Sequence, residues 1–109
     1  MMTDETVVEL APFRLAEGVT GTMLIAASDD LQAEFLAHQP GFVARELLEG
    51  VDGQWTDVVH WRTKADAERA MQTVAASPAC AKYFALMAAV DHADAHAGVT
   101  LLTRRKRYG

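Results

Sequence analysis

The sequence predicts a single α+β domain of the ferredoxin-like type, with its elements in the order β-α-β-β-α-β. Two stretches with strand-like composition, 42–49 and 54–62, flank the turn signal Asp52-Gly53. A stretch with helical spacing precedes this pair, and a second one follows it. A chain of 109 residues can bury one core. We therefore expect one domain at 1–109, with its core at about 7–102 and a basic tail at 103–109.

The first β-α unit is predicted from its apolar pattern. Residues 7–15 are mostly apolar and favour a strand, in which Pro12 indicates an edge or a bulge. Glu17-Gly18 provides a turn into a helix at about 20–38. The segment Ser28-Asp29-Asp30 is able to cap a second helical segment, which would kink this helix.

The second half of the chain is predicted from its turn and cap residues. Pro40-Gly41 ends the first helix and opens strand two. Thr63 and Asp66 resemble a capping box after strand three. Ser77-Pro78 restarts the helix with a cap and a proline in the first turn, and the last strand is expected between 92 and 103.

The pattern of the two middle strands implies that both faces of the sheet are covered. Two helices cover only one face of a four-stranded sheet. Regular alternation in strand two places its residues on two faces, and each face is partly apolar. One face has Phe42, Ala44, Glu46 and Leu48, and the other has Val43, Arg45, Leu47 and Glu49. The same holds in strand three for Trp55, Asp57, Val59 and Trp61 against Thr56, Val58, His60 and Arg62.

Composition excludes several classes of protein. The net charge of −5 argues against a nucleic-acid partner, and the basic run 104–107 is more typical of a solvated tail than of a phosphate site. Cys80 is the only cysteine, so no internal disulfide is expected. No apolar stretch is long enough to span a membrane, and the acidic N-terminus does not resemble a signal peptide. We expect a cytoplasmic protein.

Several short motifs resemble one superfamily in their order and spacing. They are Pro40-Gly41-Phe42 with Arg45-Glu46-Leu47, Val59-His60-Trp61-Arg62 with Ala65-Asp66-Ala67, and Ser77-Pro78 with Phe84. Together they resemble the antibiotic-biosynthesis monooxygenase-like domains of the dimeric α/β-barrel superfamily. The resemblance implies a homodimer through facing sheets, which would cover the second face. It also implies a small-molecule pocket between each sheet and its helices.

The resemblance also bears on cofactors. Haem-degrading members of the superfamily use an asparagine on the first strand, a tryptophan at the end of the third and a histidine in the second helix. Trp61 matches the tryptophan, whereas Ala11 and Phe84 stand near the other two positions. Haem degradation is therefore not expected, and neither flavin nor any other cofactor is predicted.

Strand three contains the two candidate catalytic residues, Asp57 and His60. Asp57 lies between two tryptophans, so it is either a hydrogen-bonded structural group or an acid/base of the pocket. His60 would face the opposite side, as a general base or as a histidine of the dimer interface. Candidate pocket-lining residues are Trp61, Arg45, Trp55 and Phe84.

A candidate metal-binding cluster consists of His92, Asp94 and His96. In a strand or in a helix these side chains can share a side, as a metal site requires. The stretch is short and offers no fourth ligand, so no metal is predicted, and a polar edge or interface strand explains the pattern better.

Two functions are compatible with this sequence. One is a cofactor-independent monooxygenase acting on a small aromatic or polyphenolic substrate in the sheet–helix pocket. The alternative is a non-catalytic dimer that binds a small ligand or is associated with stress. A pocket with a strongly shifted acid or base would favour the first, and a filled, dry, apolar pocket would favour the second.

Overall fold

The computed structural model describes residues 6–88 and 98–109. Within them the elements are β1 (Val7–Arg14), α1 (Gly21–Glu34), β2 (Phe42–Glu49), β3 (Gln54–Trp61), α2 (Lys64–Thr73), α3 (Pro78–Phe84) and β4 (Thr100–Thr103). Short 3₁₀ turns at Leu36–His38 and Val74–Ala76 follow α1 and α2. Of the helices in the described ranges, none is long and apolar enough to cross a membrane.

The four strands form one antiparallel sheet in the order β2-β3-β1-β4. This is the ferredoxin-like arrangement, so the predicted α+β fold is confirmed. Strand β2 has the predicted bounds, and β3 ends one residue earlier than predicted, at Trp61. Strand β4 pairs with β1 only from Val7 to Leu10. Pro12 thus lies in the half of β1 that β4 does not cover, which agrees with the edge character that proline indicates.

Alternation along β3 divides its side chains between two environments. Trp55, Asp57, Val59 and Trp61 are buried on the inner face, under the helices. Their neighbours on the other side of the strand, including His60, are only partly buried. The predicted division of β3 is confirmed. Opposite the inner face, α1, α2 and α3 contribute the buried side chains Leu24, Ala27, Leu31, Ala67, Ala70, Cys80 and Tyr83.

A bulge at the start of β2 changes the predicted facing of Phe42. Phe42 is opposite Trp61 and Ala44 is opposite the preceding residue of β3, so Val43 is an additional residue. Phe42 therefore lies on the inner face with Arg45, and its ring meets Trp61 edge-on at a centroid distance of 5.9 Å. The prediction that Phe42 shares a side with Ala44 is wrong, because regular alternation does not allow for an extra residue.

The first helix is not divided at Ser28 as the sequence predicts. Helix α1 is continuous from Gly21 to Glu34, and Ser28 is buried inside it rather than capping a second segment. The α-helix ends at Glu34 with Phe35 as its C-cap, and a 3₁₀ turn follows. Ser28 is spaced one helical turn from Leu24 and Leu31, so it shares their buried face.

The predicted caps of the later helices are present. The Thr63 hydroxyl accepts a hydrogen bond from the amide of Asp66 at 3.1 Å and begins α2. The Ser77 hydroxyl accepts one from the amide of Cys80 at 3.2 Å and begins α3, with Pro78 in its first turn. Each cap satisfies an amide that has no partner within its helix.

A tight corner joins the start of β2 to the start of α2. Gly41 has a φ of +81°, and a Cβ at this position would overlap the carboxylate of Asp66. Asp66 is buried, and its Oδ2 accepts hydrogen bonds from Thr63 Oγ1 at 3.0 Å and from Arg62 Nε at 3.2 Å. The Arg62 amide in turn donates to the Gly41 carbonyl at 2.8 Å. Only glycine suits both the backbone angle and the space.

The outer face of the sheet is partly apolar and is turned away from the described helices. Strand pairing places on it Val8, Leu10, Pro12, Leu48, Val58 and Leu102, together with the polar residues Glu46, Thr56, His60 and Thr100. Leu48 and Leu102 are 48 % and 46 % exposed. Arg104 continues beyond β4 and places Nη2 at 3.4 Å from His60 Nδ1.

Candidate active site

A cavity of about 510 Å³ lies between the inner face of the sheet and the helices. This volume is within the range of small-molecule sites, roughly 300–1,000 Å³. Much of its wall is apolar or aromatic and includes Phe13, Leu31, Phe35, Val74, Phe84 and Met87. The polar side chains Glu9, Arg45, Asp57 and Tyr83 lie on the same wall. The cavity can thus hold a largely apolar molecule and still present a few polar groups to it.

Glu9 and Trp61 form one polar pair of the cavity. The indole Nε1 of Trp61 donates a hydrogen bond to Glu9 Oε1 at 2.9 Å. Trp61 is only 1 % exposed, so its ring holds the carboxyl group in a fixed position. Burial raises the pKa of Glu9, the Trp61 hydrogen bond opposes that rise, Asp57 adds to it and Arg45 opposes it. The balance is a carboxyl group with a raised pKa in an apolar cavity.

Arg45, Asp57 and Tyr83 form the second polar group, in which Asp57 is held from both sides. Arg45 Nε donates to Asp57 Oδ1 at 2.9 Å, and the Tyr83 hydroxyl donates to Asp57 Oδ2 at 2.7 Å. Arg45 Nη2 also donates to the Tyr83 hydroxyl at 3.2 Å, which closes the triangle. Burial, followed by the charge of Asp57, raises the pKa of Tyr83. The phenol is therefore a hydrogen-bond donor and not a phenolate.

Cys80 lies in the wall of the cavity but is not a good nucleophile. It is 1 % exposed and forms no disulfide. Burial raises the pKa of its thiol, against a smaller opposing effect of Ser77. Because the thiolate is the reactive form, a thiol held protonated in the core serves as an apolar packing group.

The structure places the candidate site residues predicted from the sequence in three different locations. Asp57, Trp61, Arg45 and Phe84 all line the cavity. Trp55 is buried on the inner face but is not among the residues that line the cavity. His60 lies on the outer face of the sheet, so it does not meet Asp57 and has no access to the cavity.

Sequence reasoning did not single out Glu9 and Tyr83. Glu9 is opposite Val59 on the inner face, and Arg45 is opposite the same valine on its other side. Tyr83 follows Cys80 by three residues, a spacing that places both on the buried face of α3. Glu9 shares its strand face with Val7 and Phe13, but the other face of β1 is apolar too, so the sequence contains no clear signal for Glu9.

In the part of the chain that the structure describes, the cavity contains no histidine and no cluster of metal-binding side chains. Ala11 and Phe84, the residues near the asparagine and histidine positions of haem-degrading proteins, both line the cavity, and the described lining holds no histidine. No group of three or more metal-binding side chains occurs within residues 6–88 and 98–109. His92, Asp94 and His96 lie outside the described residues.

Comparison with solved structures identifies proteins of the same fold. SnoaB, described as a cofactor-independent oxygenase from Streptomyces nogalater, is 21 % identical over 94 % of this chain and 96 % of its own, with a TM-score of 0.71. A Bordetella bronchiseptica protein classed with antibiotic biosynthesis monooxygenases is 13 % identical over 95 % and 99 %, with a TM-score of 0.72. Rv0793 from Mycobacterium tuberculosis is 18 % identical over 95 % and 99 %, with a TM-score of 0.66.

Sequence comparison adds no closer relationship. No protein-family model matches this sequence, and no curated protein matches it. At these identities the similarity to the solved structures establishes the fold. The chemistry must be argued from the cavity itself.

Proposed function

Because the chain has the fold of antibiotic-biosynthesis monooxygenase-like proteins, we propose that it is a cofactor-independent monooxygenase acting on a small hydroxylated aromatic compound. The observation that supports this most directly is the cavity, which combines an aromatic wall with a carboxyl group of raised pKa. A perturbed acid or base in an apolar cavity favours chemistry over passive binding. SnoaB, which is described as a cofactor-independent oxygenase, has the same arrangement of strands and helices.

The proposed reaction oxidises an activated CH₂ group of the substrate with O₂. A base takes one proton from the substrate, either from this carbon or from the hydroxyl of its enol form, and the resulting carbanion passes one electron to O₂. The resulting radical pair combines to form a C–O bond, and the peroxide anion takes up the proton to give a hydroperoxide. Loss of the remaining hydrogen as a proton, with cleavage of the O–O bond, yields a carbonyl and water. The sum is CH₂ + O₂ → C=O + H₂O.

The cavity provides the environment that this reaction needs. An apolar wall excludes water, which would protonate the carbanion and solvate the peroxide. The ion pair of Arg45 with Asp57, fixed by Tyr83, is a preorganised set of dipoles that does not reorganise during the reaction. The aromatic side chains Phe13, Phe84 and Trp61 suit a planar ring system.

The proposal includes a homodimer formed through the outer face of the sheet. The exposed leucines of this face and its central valines would be covered by the same face of a second copy, in a symmetric contact. His60 then lies in the interface with Arg104 rather than in the reaction. We also place the protein in the cytoplasm, where the free thiol of Cys80 stays reduced.

A dihydroxyanthrone, whose CH₂ group oxidises to a quinone carbonyl, tests the proposed function. We expect the protein to accelerate O₂ consumption above autoxidation in buffer, and ¹⁸O₂ to label the new carbonyl. Ala11→Phe places a ring in the cavity from β1 and should suppress the acceleration. Binding of the anthrone with no faster oxidation would favour the ligand-binding alternative and overturn the oxygenase.

A further inference from the structure

We infer that Glu9 is the proton acceptor of the cavity, held in place by Trp61, and that the ligand is a neutral aromatic that presents an acidic hydroxyl to Glu9. The inference rests on the proposed function for its catalytic part. It extends that function by naming the base, its positioning residue and the charge of the substrate.

Comparison of the ionisable groups that line the cavity points to Glu9. Both oxygens of Asp57 already accept hydrogen bonds, one of them from the buried Arg45. A proton on Asp57 would leave the Arg45 charge buried without its partner, which is costly. The Tyr83 hydroxyl already donates a hydrogen bond to Asp57, and the thiol of Cys80 is packed in the core.

Glu9 differs from these groups because part of its carboxylate is available. Its Oε1 accepts the indole hydrogen bond, and no described residue donates to Oε2. Glu9 also lines the cavity, so a ligand hydroxyl has access to this oxygen. A general base must lie within hydrogen-bonding reach of the proton that it removes. Glu9 offers that reach from a fixed position.

Trp61 acts on Glu9 in two ways. Its buried ring, packed edge-on against Phe42, fixes the direction of the carboxyl group. Its N–H stabilises the charged form of Glu9, which opposes the effect of burial on the pKa. Trp61 is thus a positioning residue that also favours the ionised form of the base. Removing only the N–H should make Glu9 harder to ionise.

The charges around the cavity define the substrate. Arg45 is already paired with Asp57 at 2.9 Å. Arg14, which also lines the cavity, forms an exposed ion pair with Asp52 at 3.3 Å. A carboxylated or phosphorylated ligand would therefore meet Glu9 and Asp57, and the described lining of the cavity offers no unengaged cation close to them. A neutral ring with a phenolic or enolic hydroxyl avoids this repulsion and donates to Glu9.

The kinetic test compares Glu9→Gln with Glu34→Gln, the same change at an exposed position of α1. Glutamine keeps the shape of Glu9 and an oxygen for Trp61, but it does not accept a proton. With the dihydroxyanthrone we expect Glu9→Gln to lower kcat by about 10²- to 10⁴-fold. Glu34→Gln should match the wild type. Equal kcat values for all three proteins would refute the role of Glu9 and leave the oxygenase proposal standing.

The pH profile tests the positioning role of Trp61. In Trp61→Phe the acid limb of kcat/KM should move to higher pH, because Glu9 loses the hydrogen bond that favours its charged form. A purely structural role would lower activity at every pH without moving this limb. An unmoved limb therefore contradicts the role assigned to Trp61.

A binding test separates the inference from the oxygenase. The probe is a dihydroxyanthraquinone, which has no CH₂ group to oxidise, with its dimethoxy analogue as the control. Quenching of tryptophan fluorescence should show that the dihydroxy compound binds about 10- to 100-fold more weakly to Glu9→Gln. The dimethoxy analogue should bind both proteins equally. If this difference is found but the wild type oxidises no anthrone, the oxygenase proposal fails and the ligand assignment stands. Without the difference, the inference fails.

Discussion

Replacing Asp57 by asparagine tests whether the buried triangle with Arg45 and Tyr83 stabilises the inner face of the sheet. The substitution keeps the shape of the side chain and removes its charge. Arg45 retains its weaker hydrogen bonds to the Ser28 carbonyl at 3.4 Å and to the Tyr83 hydroxyl at 3.2 Å. Its charge, however, loses the carboxylate with which it is directly paired.

The expected loss follows from burial. The side chains of Arg45 and Asp57 are 6 % and 9 % exposed. Breaking such a pair by removing one partner costs about 3–5 kcal/mol. Because two hydrogen bonds to Arg45 remain, we expect the lower end, about 3 kcal/mol. At roughly 4 °C per kcal/mol for a chain of this size, Tm should fall by about 12 °C.

Urea and thermal unfolding followed by circular dichroism, at fixed protein concentration, measure this loss. The matched control is Asp52→Asn, which breaks an ion pair whose side chains are 55 % and 63 % exposed. The control should change the free energy of unfolding by less than about 1 kcal/mol. If Asp57→Asn costs no more than Asp52→Asn, the triangle is not a stabilising unit, and Asp57 returns as a candidate base.

Three further changes test other parts of the structure. Gly41→Ala should lower the free energy of unfolding by more than about 2 kcal/mol, because it combines a left-handed backbone with an overlap against Asp66. The control Gly18→Ala, also at positive φ but in open space, should cost less, and urea unfolding measures both. Burial raises the pKa of Glu9 in the folded protein. The stability that protonated Glu9 contributes is therefore complete below the pKa of Glu9 in the unfolded chain, and it is lost as pH rises through the pKa in the folded protein. Glu9→Gln should therefore raise Tm near neutral pH but not in acid, and an equal Tm difference at both pH values would contradict this. Val58→Glu, at the centre of the outer face, should yield monomers by light scattering, whereas Glu68→Gln on exposed α2 should not; unchanged dimers would exclude this face as the interface.

The environment of strand three could be predicted because it depends on local rules. The Asp52-Gly53 turn defines where β3 begins, and a period of two then places Asp57 and Trp61 on one side and His60 on the other. Arg45 could be assigned to the cavity for a different reason, because the motif in which it lies, Arg45-Glu46-Leu47, resembles that of a known family. The contact of Asp57 with Tyr83 depends on the packing of α3 against the sheet, and no local pattern specifies that packing.

The residues that were missed lie where periodicity is ambiguous. In β1 both faces are apolar, since Val8 and Leu10 alternate with Val7 and Ala11, so the side to which Glu9 belongs cannot be assigned. Helix α3 has only 7 residues, too few to establish which of its adjacent aromatic residues faces the core. Tyr83 faces inward and Phe84 lies beside it at 46 % exposure.

The extra residue in β2 affects how this chain should be aligned with other proteins of its fold. Phe42 and Arg45 both face inward although they are three positions apart, because Val43 occupies no place in the pairing with β3. Deleting Val43 would restore regular alternation without turning either side chain. An ungapped alignment with a strand that lacks this bulge must instead match either Phe42 or Arg45 to an outward-facing residue. Homologues of this chain are therefore best sought with a gap allowed at Val43, anchored on Arg45 and Trp61.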